Sequence, residues 1–76
     1  MKELIKRIAE SMVDQPDQIS VTETESGRTI ICELRVAQPD IGKIIGKQGK
    51  NVDAIRTILK AVAGKTRKRV LLELVE

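Results

Sequence analysis

The chain has 76 residues and a net charge of +3, and it contains no Trp, Tyr, Phe or His. That length supports one small domain, residues 1–76, too small for a deep enclosed pocket. The missing residue types remove aromatic stacking platforms for bases, imidazole acid–base chemistry and most zinc sites.

Cys32 is the sole cysteine, so an intrachain disulfide is excluded and a reducing cytosol suits the chain. In its apolar run it reads as a small core residue. No apolar stretch reaches transmembrane length and the amphipathic N-terminus is unlike a signal sequence, so a cytoplasmic protein with no membrane insertion is expected. Residues 1–40 carry five basic and eight acidic side chains, net −3, whereas residues 41–72 carry nine basic ones against Asp53 alone, net +8. Such an imbalance points to a polyanionic partner for the second half, although a solvated lysine-rich surface also accommodates it.

Over residues 2–14, Leu4, Ile5, Ile8, Ala9, Met12 and Val13 recur at spacings of three and four, which predicts an amphipathic helix ended by Gln15-Pro16-Asp17. Ile19, Val21 and Glu23 then alternate with Ser20, Thr22 and Thr24 as a half-exposed strand. Glu25-Ser26-Gly27-Arg28 signals the turn of an antiparallel hairpin. In the next strand Ile30, Cys32, Leu34 and Val36 point one way, and Ile31, Glu33, Arg35 and Ala37 the other. Pro39 closes it, and Asp40 is expected to cap a short helix from Ile41 that Gly46 and Gly49 interrupt.

From Lys50 the helical period returns with Val52, Ile55, Ile58, Leu59, Val62 and Ala63 on one side and Asp53, Arg56 and Lys60 on the other. Gly64 is expected to cap it. After the basic loop Lys65-Thr66-Arg67-Lys68, a last strand alternates Val70, Leu72 and Leu74 with Arg69, Leu71 and Glu73. The order is αββααβ. Two helices between the second and third strands imply a parallel crossover, so an α+β fold is expected: a three-stranded mixed sheet with three helices packed on one face.

The stretch Ile41 to Val52 holds three glycines and three lysines with no acid of its own. A P-loop fails here, because three residues instead of four separate Gly42 from Gly46, and Gln48 stands where a magnesium-binding hydroxyl belongs. The dinucleotide fingerprint fails as well, since it needs G-x-G-x-x-G directly after a strand. With no paired carboxylates, Ser/His pair or metal cluster, no enzyme activity, metal or cofactor is expected. A G-x-x-G turn between two helices can expose backbone N–H groups to a ligand. It can also serve merely as a helix connection, but that role gives no reason for Lys43, Lys47 and Lys50 beside it.

The segment Ile44-Ile45-Gly46-Lys47-Gln48-Gly49-Lys50-Asn51-Val52, within an αββααβ chain, resembles the signature of the KH domain in its type II, prokaryotic form. Residues 39–49, Pro-Asp-Ile-Gly-Lys-Ile-Ile-Gly-Lys-Gln-Gly, resemble more closely the small stand-alone bacterial KH proteins called KhpA. The resemblance implies a cytoplasmic protein that binds single-stranded RNA, or single-stranded DNA, and acts as an RNA chaperone. It also implies a homodimer, or a heterodimer with a larger KH protein, KhpB (Jag), and an influence on cell elongation and envelope homeostasis.

A KH fold clamps about four nucleotides through its GXXG loop. The resemblance therefore implies that Gly46 and Gly49 press on the sugar–phosphate backbone while Lys47 and Gln48 face the phosphates, with Gly42, Lys43, Lys50 and Asn51 beside them. Bases would lie on Ile41, Ile45 and Val52, residues that could equally be core, and use the edge of the last strand. Lys65, Arg67, Lys68 and Arg69 would receive phosphates. Ile44, Ile55 and Leu59 read as core. A rival reading is a dimerisation module that docks a partner KH protein through an open sheet face with Ile31, Leu71 and Val75; a third is a binder of anionic membranes or acidic proteins, which leaves the glycine turn unexplained.

Overall fold

Alternation in residues 29–35 sets the centre of the molecule. A computed structural model, describing residues 1–76, places them as the middle strand of a three-stranded sheet. In chain order the elements are α1 (Lys2–Glu10), β1 (Ser20–Ser26), β2 (Thr29–Arg35), α2 (Ile41–Ile45), α3 (Lys50–Gly64) and β3 (Arg69–Val75), with single 3₁₀ turns at Pro16–Gln18, Gln38–Asp40 and Lys47–Gly49. The sheet order is β1-β2-β3. β1 pairs with β2 antiparallel, closing at Ser26 opposite Thr29, and β2 pairs with β3 in parallel, as a crossover through two helices requires.

Period-two burial in the strands meets the helical stripes on one face. Val21, Ile30, Cys32, Leu34 and Leu72 pack with Ile5, Ala9, Ile44, Val52, Ile55 and Leu59 in one cluster. Burial pushes the Cys32 thiol up, with the nearby Glu23 charge adding to it, which keeps it protonated as a core residue. The other sheet face carries Ile31, Leu71 and Val75, all partly exposed. No helix is long and apolar enough to cross a membrane.

Three element boundaries differ from the sequence expectation. α1 stops at Glu10 rather than running to Asp14: Ser11 donates its hydroxyl to the carbonyl of Ile8 at 2.6 Å, and the chain turns away. Met12 and Val13 still pack against the core, but from this turn. Asp40 begins α2 without a side-chain capping bond. Its carboxylate instead accepts the backbone N–H of Gln15 at 3.0 Å, tying the end of the α1 segment to α2. Gly64 does not cap α3; it is the last helical residue. Arg67 takes the left-handed conformation instead, at φ 57°, and the Lys68 N–H reaches back to the carbonyl of Ala63 at 3.3 Å, the long closing bond of a Schellman-type helix end.

Candidate nucleic-acid interface

Two glycines with positive φ turn α2 into α3. The N–H of Gly46 still closes α2 on Gly42 at 2.8 Å, but Gly46 itself sits at φ 75°, ψ 173°, which redirects the chain. Lys47, Gln48 and Gly49 form one tight turn, with the Gly49 N–H on the Gly46 carbonyl at 3.2 Å. Gln48, at φ 57°, and Gly49, at φ 76°, are both left-handed. Lys47, Gln48 and Lys50 are exposed, and Gly42 faces open space on α2. The result is a short exposed backbone arch with a lysine at its tip, at the N-terminal end of the 15-residue α3, where helix amides favour negative charge.

Beside this arch a groove follows the free edge of β3. Its nearer recess, about 260 Å³, is walled by Ile45, Val52, Arg56, Leu74 and Glu76. A larger recess, about 830 Å³, lies between the second half of α3 and the start of β3, and Arg56 belongs to its wall as well. Arg56 spans the groove: its guanidinium donates to the Leu72 carbonyl at 3.2 Å and faces Asp53 at 3.7 Å.

Residues 2–74 match the family described as "KhpA/KhpB, KH domain". The chain belongs to the KhpA/KhpB family of KH domains. It is 51% identical over 75 residues to the "RNA-binding protein KhpA" of Clostridium acetobutylicum, an alignment covering 99% of this chain and 100% of that protein. The protein of the same name from Chlamydia pneumoniae is 49% identical over 76 residues, 100% of this chain and 97% of the relative. That from Aquifex aeolicus is 45% identical, again over the whole of this chain and 96% of the relative. Among solved structures the fold matches that of Era in complex with MgGDPNP and nucleotides 1506–1542 of 16S ribosomal RNA, with a TM-score of 0.59 and 25% identity over 96% of this chain; the chain spans 28% of that protein.

Within this KH frame the residues singled out from sequence separate into groups. Gly46, Lys47, Gln48, Gly49 and Lys50 lie together at the arch, and Ile45 and Val52 share the near recess. Ile41 is half-buried and stands outside that recess, where Leu74 supplies the third apolar wall instead. Asn51 has a partner within the protein. Its amide donates to the carbonyl of Lys43 at 2.9 Å, bracing the arch against α2.

Lys43 is likewise not an uncompensated cation: its ammonium sits 3.0 Å from Asp14 and 3.5 Å from Asp40. The hydrogen bond to Asp14 and the charges of both acids push the Lys43 ammonium up. Burial works to raise the Asp40 carboxyl, but the backbone amides of Asp14 and Gln15 and the Lys43 charge outweigh it and hold the group below the usual range. Distance along the chain hid Asp14 from a motif-centred reading.

At the far end, Lys65, Arg67 and Arg69 are exposed, whereas Lys68 is held by Glu25 of β1 at 2.8 Å. Arg67, Lys68 and Arg69 line the large recess. The sequence reading places Arg56 and Lys60 on the side of α3 opposite its apolar stripe and Arg28 in the hairpin turn, and assigns none of the three to the site. A signal for the first two was present: Val52, Arg56 and Lys60 are spaced by four and form one row along the helix. For Arg28 only the tertiary structure supplies it, through the Arg69 N–H donating to the Arg28 carbonyl at 2.7 Å.

Proposed function

We propose that this chain binds single-stranded RNA, or single-stranded DNA, with Gly46-Lys47-Gln48-Gly49 clamping the sugar–phosphate backbone and bases lying in the groove toward β3. The observation that carries the reading is the exposed arch at the N-terminus of α3, opening beside a groove with an apolar floor and a strand edge. The names of the relatives support the same ligand class. Without aromatic side chains the grip comes from shape, apolar contact and charge, so affinity is weak and sequence selectivity limited. The protein works as an RNA chaperone or post-transcriptional regulator in the cytoplasm.

The reading extends to a homodimer, or a heterodimer with a larger KH protein (KhpB/Jag), and to a role in cell elongation and envelope homeostasis. The half-exposed Ile31, Leu71 and Val75 on the uncovered sheet face support docking of a protein partner.

The decisive experiment replaces Lys47 and Gln48 together by Asp. Aspartate tolerates the left-handed conformation found at Gln48, so the variant is expected to fold. RNA affinity should fall at least tenfold while the circular-dichroism spectrum stays that of the parent. Binding equal to wild type in the folded variant refutes the clamp.

A further inference from the structure

The groove's two recesses differ in charge. The near one is walled by one basic and one acidic side chain, Arg56 and Glu76. The far one, three times larger, presents Arg28, Arg56, Lys60, Arg67, Lys68 and Arg69 against Glu73 alone. Lys68 is engaged by Glu25 and Arg56 faces Asp53, but Arg28, Lys60, Arg67 and Arg69 take part in no ion pair. Four unpaired cations around one recess raise the free energy of the empty protein through mutual repulsion, and a polyanion relieves it.

This pole is also fixed in place. The Arg69 N–H on the Arg28 carbonyl at 2.7 Å and the Lys68 ammonium on Glu25 at 2.8 Å fasten the α3–β3 loop to the β1–β2 hairpin. Arg67 is held at φ 57°, a conformation that a side chain other than Gly, Asn or Asp rarely adopts. Val70 and Leu72 add an apolar wall, so the recess offers both a surface for bases and donors for phosphates. Arg56 belongs to the walls of both recesses, so the two adjoin at its side chain.

We infer that the recess between the second half of α3, the hairpin tip and the start of β3 is a second compartment for the same nucleic-acid strand. It receives phosphates beyond the roughly four nucleotides that a GXXG loop clamps, with Arg28 and Lys60 as contact residues. This inference rests on the RNA-binding reading above. It assigns the protein a footprint longer than the clamp and makes the β1–β2 hairpin part of the interface.

The test compares single-stranded RNA of about four and about ten nucleotides across a salt series, using wild type and a variant carrying Arg28→Gln and Lys60→Gln. Longer RNA offers more binding registers, but that statistical advantage does not depend on salt. With three further phosphates engaged, the slope of log K against log salt should be steeper by about 2 for the longer strand, at about 0.7 per contact. The variant removes two of those contacts, so it should lose about two-thirds of that difference and bind the short strand as wild type does. Lys60 lies about 15 Å along α3 from Lys50, beyond the Debye length of about 10 Å at 0.1 M salt.

Equal slopes for the two lengths in wild type, or equal weakening of both lengths in the variant, overturn the second compartment and leave the clamp standing. If the Lys47/Gln48 double-Asp protein keeps short-strand affinity while the length effect persists, the clamp falls and the far recess remains. Failure to bind either RNA overturns both.

Discussion

A β-carbon on Gly46 would lie 2.5 Å from Cγ of Asn51. Asn51 occupies that space because its amide spans from α3 to the Lys43 carbonyl. The glycine and the asparagine are therefore one device: the first leaves room at the turn and the second fills it to join α2 to α3. Gly49, by contrast, has nothing within 4 Å of its missing β-carbon.

Gly46→Ala should thus cost more stability than Gly49→Ala. Gly49→Ala places a side chain in left-handed backbone, at about 1–2 kcal/mol, whereas Gly46, at φ 75° and ψ 173°, lies in a region essentially confined to glycine and alone adds a steric conflict. Asn51→Ala should cost about 1 kcal/mol for the lost hydrogen bond, and the Gly46/Asn51 double substitution less than the sum, since the conflict disappears with the amide. Urea unfolding of the four variants checks this; equal losses for the two glycines would show that the Asn51 contact is not a constraint.

The adjacent isoleucines of the arch should separate stability from binding. Ile44 is 0% exposed in the core and Ile45 is 37% exposed on the groove wall. Ile44→Ala is expected to cost about 2–5 kcal/mol, and Ile45→Ala less than about 1 kcal/mol. RNA titration of the folded proteins should find weaker binding for Ile45→Ala. Wild-type affinity in that variant would remove Ile45 from the base-contact surface.

Acid should loosen the attachment of the α1 segment to α2. Asp40, 1% exposed, has a depressed carboxyl pKa, the Lys43 ammonium facing it has a raised one, and Asp14 lies against the same ammonium. A depressed carboxylate contributes stability above its unfolded value, about 3.9, and that contribution is lost as pH falls through its folded value. For Lys43 the sign reverses: its contribution is present below its unfolded value of 10.5 and lost as pH rises through the higher folded one. Urea midpoints should therefore fall at both extremes. Asp40→Asn should lower the midpoint at pH 7 and flatten the acid limb; an unchanged acid limb would place the titrating group elsewhere.

The hydrophobic periods made most of the fold legible. Ile30, Cys32 and Leu34 announced the central strand, and Val52, Ile55, Leu59 and Ala63 the inward side of α3. What escaped were helix ends set by a competing local hydrogen bond, and side chains claimed by a distant partner. Ser11 ends α1 before the proline signal at Pro16, and Arg67 rather than Gly64 takes the left-handed position. Asp40 carries the residue type of a helix cap, yet the Gln15 amide claims its carboxylate. The cations near the arch read as one group, although Lys43 is neutralised from 29 positions upstream by Asp14.

By itself, then, the sequence determined the αββααβ order, the parallel crossover and the glycine turn, because each follows from side-chain period, connection length or backbone freedom over a few residues. Only the tertiary structure decided which charges are free. Ion pairing depends on distances of 3–4 Å between atoms that the chain brings together from far apart. Lys43 and Lys68 were thereby withdrawn into structural pairs, while Arg28, Arg56 and Lys60 were brought to the groove.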